Sequence, residues 1–225
     1  MATVQELKIV FPTDWSFADL QEHLGGIPPE RIRIYPPPGM ATLQDAIAVD
    51  AREERPCELV DGILVEKAMG WYESMLAVMI ATEMNLFVRK ENLGIVLGEA
   101  GTLNILPEMV RIPDVCFIGW DRFPKEGLTR KQPIPPLVPD LVVEVLSESN
   151  TKREMQRKLK DYFEAGVSLV WYIDPATRSA KVYTAVDEMT AVDPSGVLDG
   201  GSVLPGFELS LEGLFAEADR QGPAE

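Results

Sequence analysis

The sequence predicts an α/β domain: a mixed β-sheet flanked by helices, preceded by an N-terminal extension. Three observations predict it. Residues 141–146 (Leu-Val-Val-Glu-Val-Leu) are nearly all apolar, as a strand buried on both faces should be. A helix pattern over 151–166 and a second apolar run at 169–173 follow, which makes the pair a parallel strand–helix–strand unit. Residues 71–91 form the longest helix candidate, with Tyr72, Met75, Leu76, Met79, Ile80, Leu86 and Phe87 giving an apolar face.

The elements follow in chain order. Residues 5–10 read as a short strand. Ser16 caps a helix with Asp19 in its first turn, and Gly25-Gly26 and Pro28-Pro29 stop it. Pro36-Pro37-Pro38-Gly39 is a stiff, extended linker. It divides an extension (1–41) from a core domain (42–215), and 216–225 is left as a tail. The extension has too few apolar residues to stand alone, so it is expected to pack on the core or on a partner. A helix opens at Thr42 and reaches about Glu53. Residues 58–65 read as a hairpin turning at Asp61-Gly62. After the long helix, 95–97, 103–106 and 114–118 read as strands, and 181–183 and 206–211 as outer strands. The core order from Trp71 onward is helix, strands, helix, strand.

Composition narrows the chemistry. Of 225 residues, 46% are hydrophobic and 25% charged, which excludes disorder throughout. No apolar run approaches the ~18 residues that would span a bilayer, and the N-terminus has no signal-peptide pattern. Two cysteines, Cys57 and Cys116, make neither a disulfide framework nor a cysteine-based zinc site. The single histidine, His23, makes a Ser-His-Asp triad improbable. The expectation is a cytoplasmic protein whose chemistry rests on carboxylates, lysines and a hard metal.

The formal charge of −15 argues against a broad nucleic-acid-binding surface. Positive charge is nonetheless concentrated locally. Lys152, Arg153, Arg157, Lys158 and Lys160 stand against Glu154 alone, and Arg122, Lys125, Arg130 and Lys131 against Asp121 and Glu126. These are solvated basic patches or parts of a phosphate-binding groove.

Glu144 interrupts an apolar strand, and a buried carboxylate needs a cation, a donor network or a metal. Asp114 opens another apolar strand. Two acids on neighbouring strands can converge on a hard cation, with the Val145 carbonyl completing the protein ligands. Asp114 also reads as a strand-start aspartate, and Glu144 as a structural ion pair with the following helix. Lys158 flanks the helix face of Met155, Leu159, Tyr162 and Phe163, where it is a surface lysine or a stabiliser of phosphate charge. Lys160 points further away.

The segments Arg111-Ile112-Pro113-Asp114-Val115 and Pro139-Asp140-Leu141-Val142-Val143-Glu144-Val145-Leu146-Ser147 resemble the PD-(D/E)XK nuclease superfamily. More narrowly they are similar to the restriction-endonuclease family called Uma-two. Glu58-Leu59-Val60-Asp61-Gly62, Lys158 with Tyr162 to Val167, Trp171-Tyr172-Ile173-Asp174-Pro175 and Leu204-Pro205-Gly206-Phe207 match in the same order. The resemblance covers about residues 42–215. It implies a restriction-endonuclease-like αβββαβ core, Asp114 and Glu144 as metal-binding acids, and Lys158 as a motif lysine moved onto the helix. Glu58 matches a family acid facing the site, or is an exposed hairpin acid. Glu73 stands where the family often has histidine, and Glu154 where it usually has aspartate. Glu99 could also reach the site, with a structural role the simpler reading.

The expected function is a Mg²⁺-dependent endonuclease acting on DNA, with Mn²⁺ able to substitute. Asp114, Glu144 and the Val145 carbonyl bind the metal, and Lys158 and Glu58 complete the catalytic set. A homodimer is expected. The alternative is a non-catalytic nuclease-fold protein acting in nucleic-acid binding or assembly.

Overall fold

The computed structural model describes residues 11–52, 55–68, 70–125, 127 and 132–220. The strand expected at 5–10 lies outside these residues, as do Glu53, Glu126, Arg130 and Lys131.

The extension is built into the chain's own core. α1 (Phe17–His23) starts at a capping box in which the Ser16 hydroxyl accepts from Asp19 N and the Asp19 carboxylate from Ser16 N. Leu20, Leu24, Ile27 and Ile32 bury against Val60, Ile63 and Val65 of the following hairpin. The apolar residues of this segment therefore do not call for a second copy of the chain. Polar contacts also reach across to the later helix. Arg31 pairs with Glu154 at 2.8 Å, and Thr151 Oγ1 donates to the Gly25 carbonyl at 2.5 Å.

α2 (Leu43–Asp50) opens at a capping box of Thr42 and Asp45, and ends before the expected Glu53. β1 (Cys57–Val60) and β2 (Ile63–Glu66) form the hairpin. Its turn residues Asp61 and Gly62 both have positive φ, 49° and 67°, as a primed two-residue turn requires. α3 (Trp71–Glu91) buries Leu76, Ala77, Ile80, Met84 and Val88. Leu86, expected on that face, is 59% exposed, because it lies two positions from both Met84 and Val88 and so on the opposite side.

β3 (Gly94–Leu97), β4 (Leu103–Leu106), β5 (Met109–Arg111) and β6 (Val115–Gly119) follow. β5 was not expected. It has only three residues, but it turns back on β4 after Pro107-Glu108 and pairs with β1, giving a four-stranded sheet ordered β2-β1-β5-β4. β7 (Leu141–Val145), α4 (Lys152–Ala165), β8 (Leu169–Asp174), β9 (Ser179–Ala185) and β10 (Glu188–Val192) complete the second sheet, ordered β10-β9-β8-β7-β6-β3. Only its β7–β8 pair is parallel, and α4 is the crossover between them. The core order is thus α3, β3, β6, β7, α4, β8, the αβββαβ arrangement, with β4 and β5 diverted to the smaller sheet.

β11 (Val197–Asp199) pairs with β12 (Glu208–Ser210), and α5 (Leu211–Ala218) follows. The expected strand at 206–211 is shorter because Ser210 caps α5, and α5 runs past the boundary expected at 215. Side-chain alternation assigns the faces of the large sheet. Val115, Phe117, Val143 and Trp171 pack on α3 and α5. Cys116, Val142, Val170 and Tyr172 pack on Met155, Leu159 and Tyr162 of α4.

Arg31→Ala should destabilise the protein by about 3 kcal/mol in urea unfolding, because it leaves the buried Glu154 without its cation. Lys160→Ala, at an exposed position, is the control.

Candidate active site

The strand period sets the site. On β7, Val143 and Val145 face α3, so Glu144 faces α4. Its carboxylate is buried at 4% residue exposure, and α4 supplies its partners. Lys158 Nζ donates to Glu144 Oε1 and Oε2 at 3.0 and 3.2 Å, and the Tyr162 hydroxyl donates to Oε1. Lys158 is one turn from both Met155 and Tyr162, and is itself buried at 4% exposure. Lys160 is exposed.

The smaller sheet brings a second acid. Glu58 on β1 lies 3.1 Å from Lys158 Nζ through Oε1, which also accepts from Ile112 N at 3.2 Å. Its Oε2 accepts from Arg111 at 2.6 Å, and the same guanidinium pairs with Asp161 of α4. Lys158 therefore bridges one acid from each sheet. Glu58 is a buried site acid and not an exposed hairpin residue.

Asp114 precedes β6. The register Val115↔Val143, continued by one residue, sets it opposite Glu144. Its Oδ2 accepts from Val145 N at 2.7 Å, and its Oδ1 lies 2.9 Å from Lys67 Nζ. Lys67, Glu99, Asp114, Glu144, Val145 and Lys158 line one small cavity of about 20 Å³, room for about one water-sized group. Glu99 also accepts from Ser74 Oγ at 2.7 Å. Glu73 borders this cavity and a larger groove of about 630 Å³ beside it.

Burial and charge act against each other here. Burial pushes the Glu58 carboxyl up, but Lys158 and Arg111 outweigh it and hold the group down at about 2. Burial raises the Glu144 carboxyl, and the charges of Asp114 and Glu58 add to this against the pull of Lys158. Burial disfavours the Lys158 ammonium, yet Glu144 and Glu58 raise its affinity for the proton above that of an ordinary lysine. The Tyr162 phenol is raised by burial and by the Glu144 charge, so it is a firm donor.

Asp114, Glu144, the Val145 backbone, Lys158 and Glu58 thus come together. Lys67, Arg111 and Asp161 were missed as site residues. Arg111 lay inside a quoted motif without a role, and Lys67 carried only the weak signal of a lone base after an apolar strand. Among the described residues, no group of three or more His, Cys, Asp or Glu side chains converges as a cation cage. The expected set has two carboxylates and a carbonyl. These are hard oxygen donors, and Mg²⁺ commonly binds through one or two carboxylates while keeping several waters. Around the cavity Glu73, Glu99, Asp114 and Glu144 face Arg31, Lys67 and Lys158, so its lining carries surplus negative charge. The donor set and this surplus fit a divalent cation.

The family model Uma2, described as "Putative restriction endonuclease", matches residues 43–212. The chain belongs to the Uma2 family. The Uma2 match spans Glu58, Asp114, Glu144 and Lys158, and leaves α1 and Arg31 outside it. Among curated proteins, none matches this chain. Among solved structures, one similar protein is described as a putative nuclease belonging to DUF820 from Anabaena variabilis ATCC 29413. It has a TM-score of 0.64 and 20% identity over 73% of this chain and 92% of that chain. The likeness shows that the two share a fold.

The depressed Glu58 carboxyl has a pH signature. A folded-state value of about 2 against the ordinary carboxyl value of 4.5 makes the ionised group stabilising above about pH 4.5. That contribution is lost as pH falls towards 2. Glu58→Gln should flatten the stability profile in this window, measured by urea unfolding at successive pH values. A profile as steep as the parent's would show that Glu58 is not held ionised by Lys158 and Arg111.

Proposed function

We propose that this protein is a metal-dependent endonuclease that hydrolyses phosphodiester bonds in DNA. The observation that carries the reading is the buried Lys158 ammonium between Glu144 and Glu58, with Asp114 set opposite Glu144. Membership of a family described as restriction endonucleases supports it.

Asp114, Glu144 and the Val145 carbonyl would hold Mg²⁺, with Mn²⁺ able to substitute. When bound, the ion supplies Lewis-acid polarisation of a phosphate oxygen and a water of lowered pKa. The chain's own groups do the rest. Val145 N–H fixes one Asp114 oxygen, leaving lone pairs on the carboxylate for further partners. Tyr162 orients Glu144. Lys158 has three N–H donors, and a Glu144 oxygen turned to the ion frees one of them for a phosphate oxygen. Glu58, itself held by Arg111, keeps the ammonium in place. No covalent enzyme intermediate is needed.

A second reading, a nuclease-fold protein without catalysis, draws on one observation. Both Glu144 and Asp114 already face lysines, as in a structural ion-pair cluster. Plasmid cleavage with Mg²⁺, with Mn²⁺ and with chelator separates the two. Divalent-dependent nicking or linearisation, abolished by Asp114→Ala, is expected. Cleavage of RNA alone would redirect the substrate, and no cleavage of either would favour the second reading. The homodimer rests on duplex cleavage by paired sites, and light scattering should show two chains per particle.

Lys158→Ala should lower turnover by about 10²–10³-fold, the scale for losing one charge-stabilising donor. It should also lower stability, because two buried carboxylates lose their shared cation. Lys160→Ala should change DNA affinity and its salt dependence while sparing turnover. Equal effects on turnover would remove Lys158 from the mechanism.

A further inference from the structure

We propose that Lys67 is a resident cation of the site, whose charge against Asp114 sets how tightly a divalent ion binds there. This rests on the metal-binding reading of Asp114 and Glu144.

Lys67 is 7% exposed and follows β2 of the smaller sheet. Its Nζ lies 2.9 Å from Asp114 Oδ1 and donates to the Ile112 carbonyl at 2.9 Å and to the Glu99 carbonyl at 3.5 Å. Ile112 belongs to the segment between β5 and β6, and Glu99 follows β3. One ammonium thus ties the end of the hairpin to both segments that frame the cavity. An ammonium has three donors, and these three acceptors account for all of them. Lys67 therefore has no N–H left for a phosphate, which separates its role from that of Lys158.

The charge has a second effect. Asp114 Oδ2 is held independently by Val145 N–H, so the carboxylate stays oriented if Lys67 is neutralised. What changes is electrostatic. A fixed positive charge against Asp114 Oδ1, in a small cavity, opposes a second cation on the same carboxylate. Lys67 balances Asp114 as Lys158 balances Glu144. A divalent ion would bind against the Lys67 charge, with affinity restrained.

The test compares Mn²⁺ binding to the full-length parent, Lys67→Met, Lys67→Gln and Lys67→Arg by titration calorimetry, with circular dichroism and urea unfolding to establish folding. Lys67→Met and Lys67→Gln should each bind Mn²⁺ at least about tenfold more tightly than the parent. Lys67→Arg, which keeps the charge, should stay within about threefold. Lys67→Gln keeps a donor for the Ile112 carbonyl and gives the reading if Lys67→Met does not fold. A lysine that only braced the site would lower affinity when removed. Equal or weaker Mn²⁺ binding in a folded neutral variant therefore overturns this inference and leaves the metal site standing. Binding by the neutral variants but not by the parent supports it. No Mn²⁺ binding by any of the four overturns the metal site and this inference together.

Discussion

A buried ammonium between two buried carboxylates is the constraint on which this structure turns. Lys158 of α4 meets Glu144 of the six-stranded sheet and Glu58 of the four-stranded sheet. Taking each of these charges out of water costs several kcal/mol, and only close mutual pairing offsets it. The helix must therefore turn position 158 inward. At about 100° per residue, this also turns Met155, Leu159 and Tyr162 onto the sheet, where they are buried. The ion pair and the apolar face are one geometric decision. A slip of one residue in β7 would send Glu144 into the apolar layer against α3 and leave Lys158 facing Glu58 alone.

The smaller sheet extends this arrangement. Arg111, at the end of β5, pairs with Glu58 on β1 and with Asp161 on α4, a contact that ties the four-stranded sheet to the helix. Arg31 does the same for Glu154 from the N-terminal extension. Each charge is thus held by a group distant in sequence, and the network forms only when the sheets and α4 have met. Such a network is a poor way to gain stability, since well-packed apolar residues of similar volume are often as stabilising. Glu144 and Lys158 border the small cavity with Glu58 behind the lysine, and the two carboxyls are pushed in opposite directions, Glu58 down and Glu144 up.

How much was legible follows from the range of each interaction. Glu144 was visible because it breaks an apolar run, and Lys158 because helix geometry alone puts it beside the buried face. The capping boxes at Ser16, Thr42 and Thr151 are local and were read or implied by residue type. Lys67, Arg111 and Asp161 were not legible, because their roles depend on which strands of two sheets come together. β5 was missed for the same reason, as a three-residue strand has no period of its own and exists through its pairing with β4 and β1. Leu86 shows a different failure. Its hydrophobicity suggested burial, but its angular position on α3 places it in solvent.

The depths of the charged groups also separate their tasks. The Asp114 side chain is 13% exposed, whereas those of Glu144 and Lys158 are 6% and 5% exposed. Under the proposed function, a phosphate approaching the cavity would meet the Asp114 side before the Lys158 ammonium. A charge so deep, flanked by two acids, projects little field into solvent, so Lys158 would act only on what is already bound. Attraction of a polyanion over longer distances falls to exposed bases such as Lys152 and Lys160, on a chain whose formal charge is −15. Under the proposed function, recruitment and chemistry would fall to different lysines of the same helix, the exposed ones for encounter and the buried one for the reacting phosphate.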